Sequence, residues 1–177
     1  MKLVILDRDG VINHDSSAYI KSPEEWRPIK GSLEAIARLR KAGFRVVVAT
    51  NQAGLGRGLF DMSTLAAIHE RMSNAVSGAG GHLDAIFFCP HAAESDCACR
   101  KPRPGMLLEI LRRFGVEASK VTMIGDSLRD LQAAQAAGCQ SILVRTGNGE
   151  KTLKAGGMPE HTLVMADLAA AAAHLAP

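Results

Sequence analysis

Five short stretches of this 177-residue chain carry side chains that could do chemistry together. The first is Asp7-Arg8-Asp9-Gly10; carboxylates two positions apart on an extended chain point to the same side. A third acid, Asp126, lies in Gly125-Asp126-Ser127, with Asp130 beyond it as a backing carboxylate. Acidic groups drawn together at one place repel by several kcal/mol unless a cation intervenes. A hard divalent ion with oxygen ligands, above all magnesium, meets that need, and it commonly takes a phosphate oxygen as well. Thr50-Asn51 offers a hydroxyl, an amide and backbone N–H groups to an anion, and Arg100-Lys101-Pro102 offers it a fork-shaped and a point-like cation.

The fifth stretch holds three of the four cysteines: Cys89-Pro90-His91 and Cys97-Ala98-Cys99 place three thiols and an imidazole within eleven residues. That ligand set matches a closed, tetrahedral, structural zinc site. Because Arg100 and Lys101 follow Cys99 directly, fixing this loop fixes the two cations. Cys139 is left as a packing residue, and His69 and His82, outside the cluster, are expected on the surface.

The elements that must position these groups alternate. Residues 3–6 form an unbroken apolar run ending at Asp7 and read as a buried parallel strand. Residues 44–49, 86–88, 121–124 and 141–144 read as further strands; the first three end at Thr50-Asn51, the cysteine cluster and Gly125-Asp126. Between them lie a helix over 33–42 capped by Ser32, a helix starting at Ser63 with Leu65, Ile68, Met72 and Val76 on one face, and a helix with Pro104 in its first turn. A helix over 128–137, a weak sixth strand near Leu163 and an Ala-rich terminal helix complete the order. Strand–helix alternation predicts an α/β fold, a three-layer Rossmann-like parallel sheet with helices on both faces. Ligands of such sheets bind beyond the carboxyl ends of the strands, which is where the acids, the threonine and the cysteines fall. The irregular segment 13–31, which carries Tyr19 and Trp26, is a long connection of the kind that is more often functional than idle.

Acidic pair, threonine, lysine and Gly-Asp turn, in that order over residues 3–130, resemble the motif set of the haloacid dehalogenase-like phosphatase superfamily. The resemblance implies that Asp7 is a nucleophile forming an aspartyl-phosphate and that Asp9 is the general acid and then the general base. It implies that Thr50 and Lys101 hold the phosphoryl oxygens, and that Mg²⁺ is held by the Asp7 side chain, the Asp9 backbone carbonyl and Asp126. The Cys-Pro-His…Cys-x-Cys-Arg-Lys-Pro loop is similar to that of the histidinol-phosphatase-like group, with Zn²⁺ held by Cys89, His91, Cys97 and Cys99. Within that group, residues 7–13, 50–54, 56–58 and 100–106 resemble the heptose-bisphosphate branch, whereas histidinol phosphate is the alternative substrate. Asp15, Tyr19, Asn51, Gln52 and Arg100 are the implied substrate contacts. Ser127 departs from the branch, which often has a lysine there. At this length no cap domain is expected, so the loops, including the zinc loop 89–99, must form the substrate wall.

Composition agrees with one domain over 1–177: 47% hydrophobic and 22% charged residues suit a soluble globular protein. No apolar run approaches the roughly 20 residues a membrane helix needs. A net charge of +3 and 4% aromatic residues give no basic, stacking face for nucleic acid. The expected partner is therefore a small phosphorylated sugar, with neither nucleic acid nor membrane, in a cytoplasmic monomer.

Overall fold

The elements run β1 (Lys2–Leu6), α1 (Ser32–Lys41), β2 (Phe44–Asn51), α2 (Ala53–Gly56), α3 (Met62–Gly78), β3 (Ala85–Cys89), α4 (Gly105–Phe114), β4 (Thr122–Gly125), α5 (Leu128–Ala137), β5 (Gln140–Val144), α6 (Gly149–Ala155), β6 (Leu163–Met165) and α7 (Leu168–Leu175). The computed structural model describes all of residues 1–177. Strands β1 and β2 are apolar on both faces, which dictates a central position covered on both sides. Val4 and Leu6 join Val46 and Val48 in one core, covered by α1, α3 and α7. Their neighbours Leu3, Ile5, Val47 and Ala49 point the other way, into a second core covered by α4 and α5. The three-layer arrangement expected from the alternation is therefore present.

All strand pairs are parallel, in the order β3-β2-β1-β4-β5-β6. Leu6 of β1 is level with Val48 of β2 on one side and with Ile124 of β4 on the other. Chain order reverses at β1, which opens a crevice beyond its carboxyl end. Asp7 stands there, its N–H donating to the Ile124 carbonyl at 2.9 Å. No helix is long and apolar enough to cross a membrane.

Several local expectations are corrected. Ser32 is the first residue of α1, not its cap; Gly31, at φ 84°, precedes it. The Ser32 hydroxyl instead donates to the Val11 carbonyl at 2.9 Å, tying α1 to the loop after β1. Helix α3 starts at Met62, one residue before the expected Ser63, and is capped by Asp61, whose carboxylate accepts from the Thr64 N–H at 2.8 Å. Pro104 stands just before α4 rather than in its first turn. His69, expected on the surface, is only 9% exposed, because it lies on the same stripe of α3 as the buried Leu65, Ile68, Met72 and Val76.

Candidate active site

Three carboxylates meet in the crevice: one oxygen each from Asp7, Asp126 and Asp130 falls within 4.8 Å of the others. Lys101, which is 1% exposed, is driven into the middle of them. Its ammonium lies 2.9 Å from Asp7 Oδ1 and 2.7 Å from Asp130 Oδ1, and donates to the Ala49 carbonyl at 2.7 Å, so three partners match its three N–H groups. Burial alone would push the Lys101 ammonium down, but Asp130 and Asp7 outweigh it and raise it. Burial, together with Asp130, holds the Asp7 carboxyl well above the usual carboxylate range against the pull of Lys101. Burial and Asp130 likewise push Asp126 up to about 7.

The three acids are not equivalent. Asp130 uses both oxygens inside the protein: Oδ1 faces Lys101, and Oδ2 accepts from the Ser127 N–H at 3.0 Å and its hydroxyl at 2.8 Å. Ser127 is thus engaged in the start of α5. On Asp126, Oδ2 accepts from the Asn148 N–H at 2.7 Å and the Asn148 side-chain amide at 3.3 Å. Gly10 and Gly147, at φ 82° and 56°, close over that same oxygen, and a side chain at either would collide with it. On Asp7, Oδ1 accepts from the Arg8 N–H at 2.8 Å and faces Lys101. That leaves Asp7 Oδ2, Asp126 Oδ1 and the Asp9 carbonyl without a protein donor. Three hard oxygens beside carboxyls raised by burial and by their acidic neighbours fit magnesium.

Asp9 faces the crevice from the opposite side. Its Oδ1 accepts from Arg8 Nε at 3.0 Å, Arg8 Nη2 at 2.9 Å and Asn13 Nδ2 at 2.9 Å; its Oδ2 accepts from Arg8 Nη2 at 3.1 Å and Gln52 Nε2 at 3.2 Å. Gln52 also donates to Thr50 Oγ1 at 2.8 Å, and its backbone N–H donates to the Cys89 carbonyl at 2.8 Å. Its neighbour Asn51 engages the backbone of Lys101 in both directions, accepting from its N–H at 3.1 Å and donating to its carbonyl at 3.0 Å. Chain ends of β2 therefore hold both Asp9 and Lys101 in place.

The cysteine loop stands beside this. Cys89 Sγ lies 3.2 Å from Cys99 Sγ, 3.7 Å from Cys97 Sγ and 3.5 Å from His91 Nδ1, and His91 Nδ1 lies 3.4 Å from Cys99 Sγ. No disulfide joins them. Four donors of thiol and imidazole type converging on one point fit a tetrahedral zinc ion. Helix α2 packs so closely on the loop that a side chain at Gly56 would meet the backbone of Pro90, His91 and Ala92.

Of the residues singled out in the sequence, Asp7, Asp9, Asp15, Tyr19, Asn51, Gln52, Arg100, Lys101 and Asp126 all line one cavity of about 380 Å³. Thr50 does not line it; it is buried beneath, behind Gln52. Tyr19 reaches the cavity from a left-handed backbone position, φ 65°. Arg57, which falls in the 56–58 stretch but has no site role assigned from sequence, also lines it, as do Arg129 and Asn148, which no sequence motif marks. Asn148 joins Asp126 to Asp15, whose Oδ2 accepts from its amide at 3.0 Å. Asn148 lies four residues beyond the end of β5 and is uncharged, so the pattern of charged strand ends does not single it out.

The chain is similar to known proteins over nearly its whole length. The HAD-hydrolase-like family model matches residues 98–171. The chain is 60% identical to the D-glycero-beta-D-manno-heptose-1,7-bisphosphate 7-phosphatase of Bordetella bronchiseptica, over 99% of this chain and 98% of that one. It is 53% identical to the enzyme of that name from Pseudomonas putida, over 99% of each. A crystal structure of D,D-heptose 1,7-bisphosphate phosphatase from B. bronchiseptica, complexed with magnesium and phosphate, superposes with a TM-score of 0.98 at 60% identity, covering 99% of this chain and 98% of that one. The Burkholderia thailandensis phosphatase gives 0.80 at 51% identity, with the same coverage.

Proposed function

Because the chain belongs to the heptose-1,7-bisphosphate 7-phosphatase family of HAD-like hydrolases, we propose that it removes the C7 phosphate of D-glycero-β-D-manno-heptose 1,7-bisphosphate through a phosphorylated Asp7. An oxygen of the Asp7 carboxylate attacks phosphorus opposite the C7 oxygen. The bond from phosphorus to that oxygen breaks, and the departing alkoxide takes a proton from Asp9. Water then attacks the phosphorus of the phosphoaspartate and gives a proton to Asp9, and the bond to Asp7 breaks, releasing inorganic phosphate and the sugar 1-phosphate.

Magnesium, when bound, offsets the charge of the phosphoryl oxygens; an Asp7 oxygen, Asp126 Oδ1 and the Asp9 carbonyl would hold it. Lys101 keeps Asp7 and Asp130 together and supplies positive charge beside the transferring group. Thr50 lies buried behind Gln52, so its hydroxyl proton reaches a phosphoryl oxygen once the Gln52 amide shifts aside. Asn51 and Gln52 act from behind, on Lys101 and Asp9, while Asp15, Tyr19 and Arg100 meet the sugar. Cys89, His91, Cys97 and Cys99 would hold a zinc ion that fixes the loop leading into Arg100 and Lys101. We read the chain as one catalytic domain, a monomer working in the cytoplasm.

The observation that carries this reading is Lys101 lodged between Asp7 and Asp130 at the point where chain order reverses. Phosphate release measured side by side on the heptose bisphosphate and on histidinol phosphate tests it. Preference for histidinol phosphate would overturn the substrate while leaving the chemistry at Asp7 standing.

A further inference from the structure

Arg8 stands between the two aspartates, and its side chain is wholly buried. Three of its hydrogen bonds go to the Asp9 carboxylate, from Nε and Nη2. The remaining nitrogen, Nη1, lies 3.2 Å from Nε2 of His69. A guanidinium can only donate, so this contact requires Nε2 to present its lone pair. His69 is then a neutral imidazole carrying its proton on Nδ1. Its ring is held on α3 among the buried residues of that helix, with the Phe88 ring 6.1 Å away. A fork tied to one carboxylate alone could still swing about it. Anchored at a second point it is fixed in plane, and so is the carboxylate it grips.

We propose that His69 is a positioning residue for proton transfer: its imidazole fixes the Arg8 fork, and the fork fixes Asp9. The proposal rests on the reading that Asp9 protonates the leaving oxygen. His69 touches neither substrate nor metal in this scheme and acts only through Arg8. It gives a purpose to an otherwise costly feature, a fully buried arginine paired within the chemistry site and backed by a buried polar side chain.

A leaving-group series tests it, using the full chain with magnesium and following kcat/KM, which reports only steps up to phosphorylation of Asp7. Esters of alcohols need protonation on departure; p-nitrophenyl phosphate does not. In His69→Phe, kcat/KM for alkyl phosphates is expected to fall on the order of tenfold, while p-nitrophenyl phosphate changes less than about twofold. His69→Gln, which can still accept from Arg8, is expected to recover most of the alkyl rate. Asp9→Asn should show the same selectivity with a larger loss, about 10²–10⁴-fold. A uniform loss on both substrate types in His69→Phe, or no loss, overturns the role of His69. If Asp9→Asn also lacks selectivity, the reading of Asp9 has failed; if only His69→Phe lacks it, the positioning role alone has failed. Should His69→Phe not fold, ¹⁵N NMR of the wild-type imidazole decides: an unprotonated Nε2 at neutral pH supports the contact, and a protonated Nε2 overturns it.

Discussion

Two polar clusters flank the same cavity and are held together in opposite ways. At the ends of β1 and β4, the acidic centre carries much of its own compensation: Lys101 sits between Asp7 and Asp130, Ser127 occupies one oxygen of Asp130, and Asn148 occupies one of Asp126. The cysteine loop beyond β3 brings four donors to one point with no cation of its own. The other contacts that hold it are exposed ion pairs, Arg57–Glu94 at 2.9 Å and Arg103–Asp96, bonds from Arg103 to the Cys97 carbonyl and from Arg100 to the His91 carbonyl, a few backbone bonds such as Gly105 N–H to the Ala98 carbonyl, and its fit against α2. Exposed pairs of that kind contribute about 0–1 kcal/mol each. The acidic centre is therefore preformed on rigid strand ends, and metal tunes it. The loop is a shape that a zinc ion would complete, and in the proposed scheme its effect on catalysis runs through the position of Arg100 and Lys101.

The largest expected effect falls on the preformed side. Asp7→Asn should fold as the wild type and lose roughly 10³-fold or more in turnover, as loss of a covalent nucleophile generally does; steady-state phosphate release together with circular dichroism checks both halves. Lys101→Met leaves Asp7 and Asp130 buried without their cation, a change that costs about 3–5 kcal/mol. Denaturant unfolding should register that loss, and near-wild-type stability would show that Lys101 serves substrate alone.

Magnesium separates the clusters next. Asp126 is raised to about 7 by burial and by Asp130, so without metal the folded chain binds more protons than the unfolded one between the ordinary carboxyl range and pH 7. Stability from this group is complete at low pH and is lost as pH rises toward 7, by roughly 4 kcal/mol at most. Added Mg²⁺ should restore it, so the stabilisation by magnesium should grow from pH 5 to pH 7.5, and a flat difference would count against Asp126 as a ligand. Removing zinc with a zinc-selective chelator in excess magnesium should lower kcat/KM about tenfold, through displacement of Lys101 and Arg100. Unchanged activity would remove the positioning role of the loop. Smallest of all, Arg103→Ala breaks only the exposed pair with Asp96 and the bond to the Cys97 carbonyl; its effect on zinc-loaded stability should stay below about 1 kcal/mol.

The two clusters also differ in what the sequence discloses. Asp7, Asp126 and the Cys–His set are legible because charge or sulfur stands at the end of an apolar run, and parallel sheets place such ends together. Asn148 lies four residues past the end of β5 and carries no charge, so nothing marks it until the β5 loop is seen folding over Asp126. Asn51 and Gln52 are legible as site residues, but their partners are not: both amides face inward, to Lys101 and Asp9. His69 was misplaced because a single histidine on a helix face is polar by type. Its position between Ile68 and Met72, on the stripe that α3 buries, was the better guide. Ser32 and Asp61 teach the same lesson at helix starts, where any nearby hydroxyl or carboxylate suits the cap and tertiary contacts choose among them.

The central claim is a covalent phosphoaspartate at Asp7, and acid quenching during turnover followed by borohydride reduction tests it most directly. Reduction converts an acyl-phosphorylated aspartate to homoserine, which peptide mass spectrometry locates. Homoserine at position 7 alone, dependent on substrate and absent from Asp7→Asn, is the predicted result. Turnover with no reduced residue at position 7, or with the mark at Asp9, Asp126 or Asp130, would contradict it.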